Sequence, residues 1–402
     1  MLPQSLVARI AAGACFALVV CWVYFSHPFH ETYTPGTSSW TNSGGLLHEI
    51  TNRTLGFQKI FVIGLPERTD RRDRIILQAF LSGVDIEFID GVLGAEISDK
   101  AIPKAKGWKK PSDGAMGCWR AHMNIMDRIV AENITTALIL EDDADWDVRI
   151  RQQLLSIAIG AQALIQPIAG TTDTYADPSY HYPREKIKGK IPDGITELDF
   201  FNLPKTEPAT YSPYGDKWSI LWLGHVKIQM PSANDNQPRG RVIIKDDPTV
   251  APKKYLTSNV SPFRFKAEYP EFTRVIHHSQ VTRGTAGYAV THMGAMEILN
   301  QVGTLDMNHA VDISMGDFCD GEKGRGYHTC IATQPPIFLP YRAVGPKTDT
   351  TDIDGNWAKE GGWFEKPESL MNRISVQINA ERLIRGEEPV DQYEADGSPP
   401  AL

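Results

Sequence analysis

At 402 residues the chain is long enough for one large domain, or a large and a small one, with a well-buried core. Its hydrophobic fraction of 42% and charged fraction of 22% are ordinary for a soluble globular body. The formal net charge of -8 leaves no excess of Lys and Arg to displace counterions, which argues against a general nucleic-acid binder.

The first residues do not read as globular. From Ile10 to Phe25 every residue is apolar or small, and no acidic residue appears before Glu31. With Leu6 to Arg9 the stretch approaches the roughly 20 residues a membrane-spanning helix needs. It ends in Trp22-Val23-Tyr24-Phe25, which suits an interfacial aromatic belt and makes a poor cleavage site, so an uncleaved signal-anchor is expected rather than a signal peptide. Arg9 on one side, with His27 and His30 on the other, points to a cytosolic N-terminus. The expected layout is a cytosolic tip and transmembrane anchor over 1–31, contacting the membrane through 6–25, with the body in the secretory lumen of the Golgi. Sequons at Asn52, Asn133 and Asn259 fit a lumenal body weakly. Cys15 and Cys21 fall in the anchor. Cys118, Cys319 and Cys330 remain, for which one disulfide, Cys319 to Cys330, and one free buried thiol are expected. No CxxC or His-Cys spacing suggests zinc.

Residues 32–56, rich in Ser, Thr and Gly, read as a stem or linker. A globular body is then expected over 57–365. Lys59-Ile60-Phe61-Val62-Ile63 is a short apolar run of strand type, 67–81 has helical character, and 85–89 is a second strand before Asp90-Gly91. This β-α-β opening favours a mostly parallel sheet covered by helices, an α/β fold. Ser112 or Asp113 caps a helix running to about Glu132, with Met116, Trp119, Met123, Met126 and Val130 on its core face. Ala137-Leu138-Ile139-Leu140 is a central strand running into Glu141-Asp142-Asp143. Residues 170–273 carry many Pro, Tyr, Asp and Lys and read as a loop-rich insertion with one strand over 218–223. Gly287-Tyr288-Ala289-Val290 is a strand, with Thr291 as the cap of a helix to about Gln301. In the final segment, 366–402, a helix over 367–385 and a disordered tail are expected.

The strongest chemical signal is the strand-to-carboxylate junction at Glu141-Asp142-Asp143. In parallel α/β sheets ligands collect beyond the carboxyl ends of the strands. Three crowded carboxylates raise one another's pKa unless a cation neutralises them, and Mg²⁺ or Mn²⁺ takes one or two carboxylates plus phosphate oxygens. The bland alternative is a solvent-facing acidic loop or a helix cap. Arg68, Arg71 and Arg72 share one helical face at i, i+3 and i+4; a nearby diphosphate would relieve their conflict with the helix dipole, as would surface pairing with Glu67, Asp70 and Asp73. His122 on a partly apolar flank reads first as a core histidine, His277-His278 as a surface pair, and Trp218 and Trp222 as core.

Taken in order, these segments resemble glycosyltransferase family 25, the group that includes bacterial lipopolysaccharide galactosyltransferases and animal procollagen galactosyltransferases. Val62-Ile63-Gly64-Leu65 through Arg72 resembles its "INL-x-x-R" opening, and Asp90-Gly91 its "DG". Gly117-Cys118-Trp119-Arg120-Ala121-His122 is similar to "GCxxSH", Ile139 to Asp143 to "ILEDD", and Gly287 through Ala295 to "YxxSxxGA", with Asp312 at the place of its "VD" aspartate. Two departures stand out: Ala121 replaces the usual Ser, and Gly64 the usual Asn. The resemblance implies a GT-A-like Rossmann-type fold, a UDP-sugar donor such as UDP-galactose, a divalent metal (Mn²⁺ or Mg²⁺), inversion at the anomeric carbon, and a glycan or glycoprotein acceptor. On that resemblance Glu141 and Asp143 are expected at the metal, and Arg68, Arg71, Arg72, Asp90, Gly91 and Asp142 at the donor. Asp312, His122 and Asp142 are the catalytic candidates, Asp312 being the general base with Asp317 behind it. Two other classes stay open: a catalytically inactive, membrane-tethered carbohydrate-binding or adhesion protein, and a two-carboxylate hydrolase, which adjacent residues on one strand end fit poorly.

Overall fold

The computed structural model describes residues 45–104, 106–181, 193–225, 227–233, 235, 237–256, 263–305, 307, 309–353 and 361–397. The expected anchor over 1–31, with Cys15 and Cys21, lies outside the described residues, as does the sequon at Asn259. Among the described residues no helix is long and apolar enough to cross a membrane.

Nine strands form the central sheet: β1 (Lys59–Gly64), β2 (Glu87–Asp90), β3 (Thr136–Glu141), β4 (Glu197–Asp199), β5 (Ile220–Gly224), β6 (Arg241–Ile244), β7 (Arg274–His278), β8 (Gly287–Thr291) and β9 (Cys330–Gln334). Their order is β2-β1-β3-β8-β5-β9-β7-β6-β4. The pairing senses make seven strands run one way and two, β7 and β8, run against them. The sheet is therefore mostly parallel, as the β-α-β opening predicts.

Side chains alternate across β1 and β3, and both faces are covered. Ile60, Val62, Leu138 and Leu140 pack on one side with helix α3 (Ile150–Ile165), through Leu154, Ile157 and Ala161. Phe61, Ala137 and Ile139 pack on the other with helix α2 (Asp113–Ala131), through Met116, Trp119, Met123 and Met126. A strand buried on both faces reads as an unbroken apolar run, which is why β3 is legible in the sequence. Helix α1 (Thr69–Leu81) joins the first face through Ile75; α4 (His292–Ile298) and α5 (Val311–Asp320) join the second. The expected caps form: Ser112 Oγ accepts from Ala115 N at 3.2 Å, and Thr291 Oγ1 from Gly294 N at 3.0 Å. Cys319 and Cys330 form the expected disulfide, tying the end of α5 to the start of β9, and Cys118 is a free thiol.

Four expectations are corrected. Part of the stem belongs to the body: Leu46–Thr51 is a 3-10 turn, and Ile50, Leu55 and Phe57 are buried, Phe57 stacked on Tyr214 at 4.6 Å. The 170–273 segment carries more regular structure than the one strand expected over 218–223, which forms as β5, for it also supplies β4 and β6. These two are three and four residues long, too short to print a period. Within 367–385 only Ala380–Ile384 is helical, and the tail folds back to 397, where Asp391 pairs with Arg373 at 2.5 Å and Tyr393 is buried. His277 and His278, expected at the surface, lie fully buried on β7.

One buried ion pair fastens the far side of the sheet. Arg274 donates to Asp247 at 2.6 Å, to Thr249 at 3.0 Å and to the carbonyl of Pro335 at 2.7 Å. Burial works against the Asp247 carboxylate, but Arg274 and Thr249 hold it below its ordinary 3.8. Its contribution is therefore present above pH 3.8 and fades only as the pH falls below that value. Asp247→Asn leaves Arg274 charged and uncompensated, and is expected to cost about 3–5 kcal/mol. Denaturant unfolding at pH 7 and pH 5 should return the same loss; a loss confined to one pH would refute the assignment.

Candidate active site

The carboxyl ends of β1, β2 and β3 open onto a cavity of about 390 Å³. Alternation along β3 decides which way each carboxylate faces. Glu141 continues the series Ala137, Ile139 and so turns toward α2 and α5, whereas Asp142 turns toward β1 and α1. Asp142 fits there because residue 64 is glycine: a Cβ on Gly64 would stand 2.6 Å from the Asp142 Oδ2. Any side chain at position 64 would force Asp142 to shift.

Each carboxylate has its own partner. Asp142 accepts from Arg71 Nη1 at 2.7 Å and is 7% exposed. Burial pushes its carboxyl up to about 6 against the pull of Arg71. Glu141 Oε1 accepts from Thr285 Oγ1 at 2.6 Å. Thr285 reaches it because β8 runs antiparallel to β3, so the residues entering β8 lie beside the end of β3, where Glu141 N donates to the Ala286 carbonyl at 3.2 Å. Burial, then the charge of Asp143, with Asp142 and Asp312 adding, pushes Glu141 up to about 7. Asp143 Oδ2 accepts from Arg342 Nη1 at 3.0 Å, while its Oδ1 is buried with no hydrogen-bond partner. Arg342 arrives on Leu339–Arg342, which pairs with Ala144–Asp145 directly after the triplet.

The structure brings Arg71, Gly91, His122, Glu141, Asp142 and Asp143 to this one cavity. Arg68 lines a smaller one of about 190 Å³ that shares Arg71, Asp142, Asp143 and Thr350 with the first. Arg72 and Asp90 are not among the residues lining either. They pair with each other, and Arg72 also donates to the Gly64 carbonyl at 2.9 Å and lies over the Phe88 ring, so both brace β1 against β2. Asp312 also stands off the lining: its two oxygens accept from Gly284 N at 2.9 Å and Ile313 N at 2.8 Å. Asp317 pairs with Lys323 at 2.6 Å. The His122 Nδ1 contacts the Tyr288 hydroxyl at 2.7 Å, and burial pulls its pKa down to about 4, the behaviour of a core histidine at the cavity floor. Trp218 and Trp222 are buried in the core. Sequence reasoning missed Thr285, Arg342 and the 350–353 wall; only the turn before the "YxxSxxGA"-like strand carried any hint of Thr285.

The residues 57–181 match the sequence model of a family described as "Glycosyltransferase family 25 (LPS biosynthesis protein)". Among curated relatives, "Procollagen galactosyltransferase 1-B" of Xenopus laevis is 27% identical over 26% of this chain and 19% of its own length. "Glycosyltransferase 25 family member" of Anopheles gambiae is 28% identical over 29% of this chain and 22% of its own. "Inactive glycosyltransferase 25 family member 3" of Homo sapiens is 28% identical over 25% and 19%. The matched stretch spans about a fifth of the length of these relatives.

Close packing of α2 against the cavity rim gives a test of this geometry. A Cβ on Gly117 would stand 2.1 Å from the Val92 carbonyl, so Gly117→Ala must push the helix off the rim. We expect a loss of about 1–3 kcal/mol in thermal or denaturant unfolding. Gly326→Ala, where a Cβ meets nothing within 4 Å, serves as control. Equal stability of the two variants would contradict the packing.

Proposed function

We propose, from the match of residues 57–181 to glycosyltransferase family 25, that the chain moves a hexose, galactose first, from a UDP-sugar to a hydroxyl of a glycan or glycoprotein, with inversion. The observation that carries the reading is the cavity at three strand ends, lined by three consecutive carboxylates and by Arg71, which is paired with the middle one, Asp142. We read the sheet as GT-A-like, with the larger cavity taking the donor and the smaller one the acceptor.

Arg71 is the cavity's anchored cation and the residue that would grip the diphosphate. Asp142 lines both cavities, so an acceptor hydroxyl entering the smaller one meets the carboxylate beside the donor sugar. That position suits the general base an inverting transfer needs. Asp312, off the lining, holds the 284–285 turn that orients Glu141 and is better read as a positioning residue. Glu141 and Asp143 fit a divalent cation: both are hard oxygen donors, Asp143 Oδ1 is a buried oxygen without a partner, and the charge of neighbouring carboxylates adds to burial in lifting Glu141. Among the described residues no group of three or more His, Cys, Asp or Glu is arranged for a metal, so these residues would supply two ligands at most. Mg²⁺ and Mn²⁺ sites on phosphates take that few. Bound there, the cation would neutralise charge growing on the diphosphate leaving group. The Cys319–Cys330 disulfide favours an oxidising compartment, and we assign the body to the secretory lumen, in the Golgi, behind the expected anchor.

A second reading has one observation in its favour. Arg71 and Arg342 compensate the charges of Asp142 and Asp143 from within the protein, which suits a binding protein without turnover. One experiment separates the two. The full chain is incubated with UDP-galactose or UDP-glucose, Mn²⁺ and a glycoprotein acceptor, and released UDP is measured. Asp142→Asn is expected to lower kcat by about 10²–10⁴-fold, Asp143→Ala to abolish metal dependence, and EDTA to stop release until Mn²⁺ is restored. UDP that binds but is never released from any donor would establish the inactive reading. Full turnover in EDTA would remove the metal from the mechanism.

A further inference from the structure

Arg68 and Arg71 stand at the N-terminal end of α1, where a cation opposes the helix dipole and needs an anion close by. Asp70 and Asp142 supply two. The third comes from a remote part of the chain. Asp352 forms an ion pair with Arg68 and lies 3.5 Å from Arg71 Nη1, and Arg68 donates to the Asp349 carbonyl at 3.1 Å. The segment bearing Asp352 is itself a wall of the larger cavity, through Thr350, Thr351, Asp352 and Ile353.

The members of this cluster are not held equally. The side chains of Arg68 and Arg71 are 17% and 12% exposed, that of Asp352 34%. Arg71 is also fixed from its other side by Asp142. The guanidinium groups are anchored, and the Asp352 carboxylate is the partner free to leave. We infer that Asp352 is an internal stand-in for the donor's diphosphate: it covers the guanidinium faces of Arg71 and Arg68 in the donor-free chain, and a nucleoside diphosphate binds by displacing it. This rests on the reading of the larger cavity as the donor site. Carboxylate and phosphate compete for guanidinium because both present paired oxygens to its fork of N–H donors. They cannot share that face without like-charge repulsion at short range. Donor affinity is then reduced by the fraction of chains in which Asp352 occupies the arginines. Displacement also moves the 350–353 wall, so donor entry reshapes the rim that the two cavities share at Thr350.

The test is calorimetric titration of the full chain with UDP and, separately, with inorganic pyrophosphate. Asp352→Asn keeps the shape and removes the competing charge; Kd for both probes is expected to fall about fivefold. Asp349→Asn removes a charge from the same segment, but its side chain contacts Thr348, and Arg68 touches only the main-chain carbonyl of residue 349. It should therefore change Kd by less than about twofold. Arg71→Ala should weaken both probes by tenfold or more. Equal tightening by Asp349→Asn would reduce the effect to general charge and overturn the inference, as would unchanged or weaker binding in Asp352→Asn, with the donor reading left standing. Failure of both the wild-type chain and Asp352→Asn to bind either probe would sink the donor reading and the inference together.

Discussion

Three carboxylates in a row at the end of a buried strand impose the condition that the rest of this molecule meets. Leaving a buried charge without compensation costs several kcal/mol, enough to cancel much of a domain's stability. Here alternation along β3 sends neighbouring carboxylates to opposite faces, so no single partner can serve them all. Asp142 takes Arg71 from α1, Asp143 takes Arg342 from a segment 199 residues further on, and Glu141 takes the hydroxyl of Thr285 at the entry to an antiparallel strand. The antiparallel insertion of β8 beside β3 has a direct chemical result: it delivers Thr285 to the carboxyl end of β3, and Gly284 to Asp312.

That condition also divides the chain by role. The stretch matching the family, 57–181, supplies the frame and the charges: β1 to β3, α1 and α2, the carboxylates and Arg71. Of the carboxylates' partners it supplies only Arg71, for Asp142. Thr285, Asp312, Arg342 and Asp352 all lie beyond it, as do most of the residues lining the smaller cavity. The family match therefore covers the strand ends that carry the carboxylates, whereas most of the smaller cavity's wall lies in later segments outside it. Likeness to procollagen galactosyltransferases over a quarter of the chain informs the first and leaves the second to be read from the structure itself.

What was legible in the sequence follows from how local each signal is. β3 announced itself because four consecutive apolar residues are buried on both faces, and α2 because its cap and its three-and-four spacing lie within one window. β4, Glu197–Asp199, carries two acidic residues in three and owes its existence to pairing with β6, which no window of its own reveals. Arg68, Arg71 and Arg72 read as one cationic face because helical spacing says so. Their partners separated them: Arg72 is drawn to Asp90 and the Gly64 carbonyl, Arg71 to Asp142, Arg68 to Asp70 and Asp352. His277-His278 misled for a related reason. A polar pair sits in a buried strand when its neighbours carry polar groups too, and Arg241 lies opposite His277 in the register.

The electrostatic balance of the site constrains how it would work. Glu141 feels the charges of Asp143, Asp142 and Asp312, whereas only Asp142 and Asp143 are ion-paired, to Arg71 and Arg342. Glu141 rises to about 7 through its burial first and those neighbouring charges second. A diphosphate entering alone would deepen the imbalance, and would meet an arginine already committed to Asp142 and Asp352. A cation entering alone would relieve the carboxylates but find two protein ligands at most among the described residues. Each makes good what the other lacks, so the two are expected to bind as a pair, the cation held by Glu141 and Asp143 and the phosphates by Arg71. On the proposed reading, cation and diphosphate would then each raise the other's affinity for this cavity.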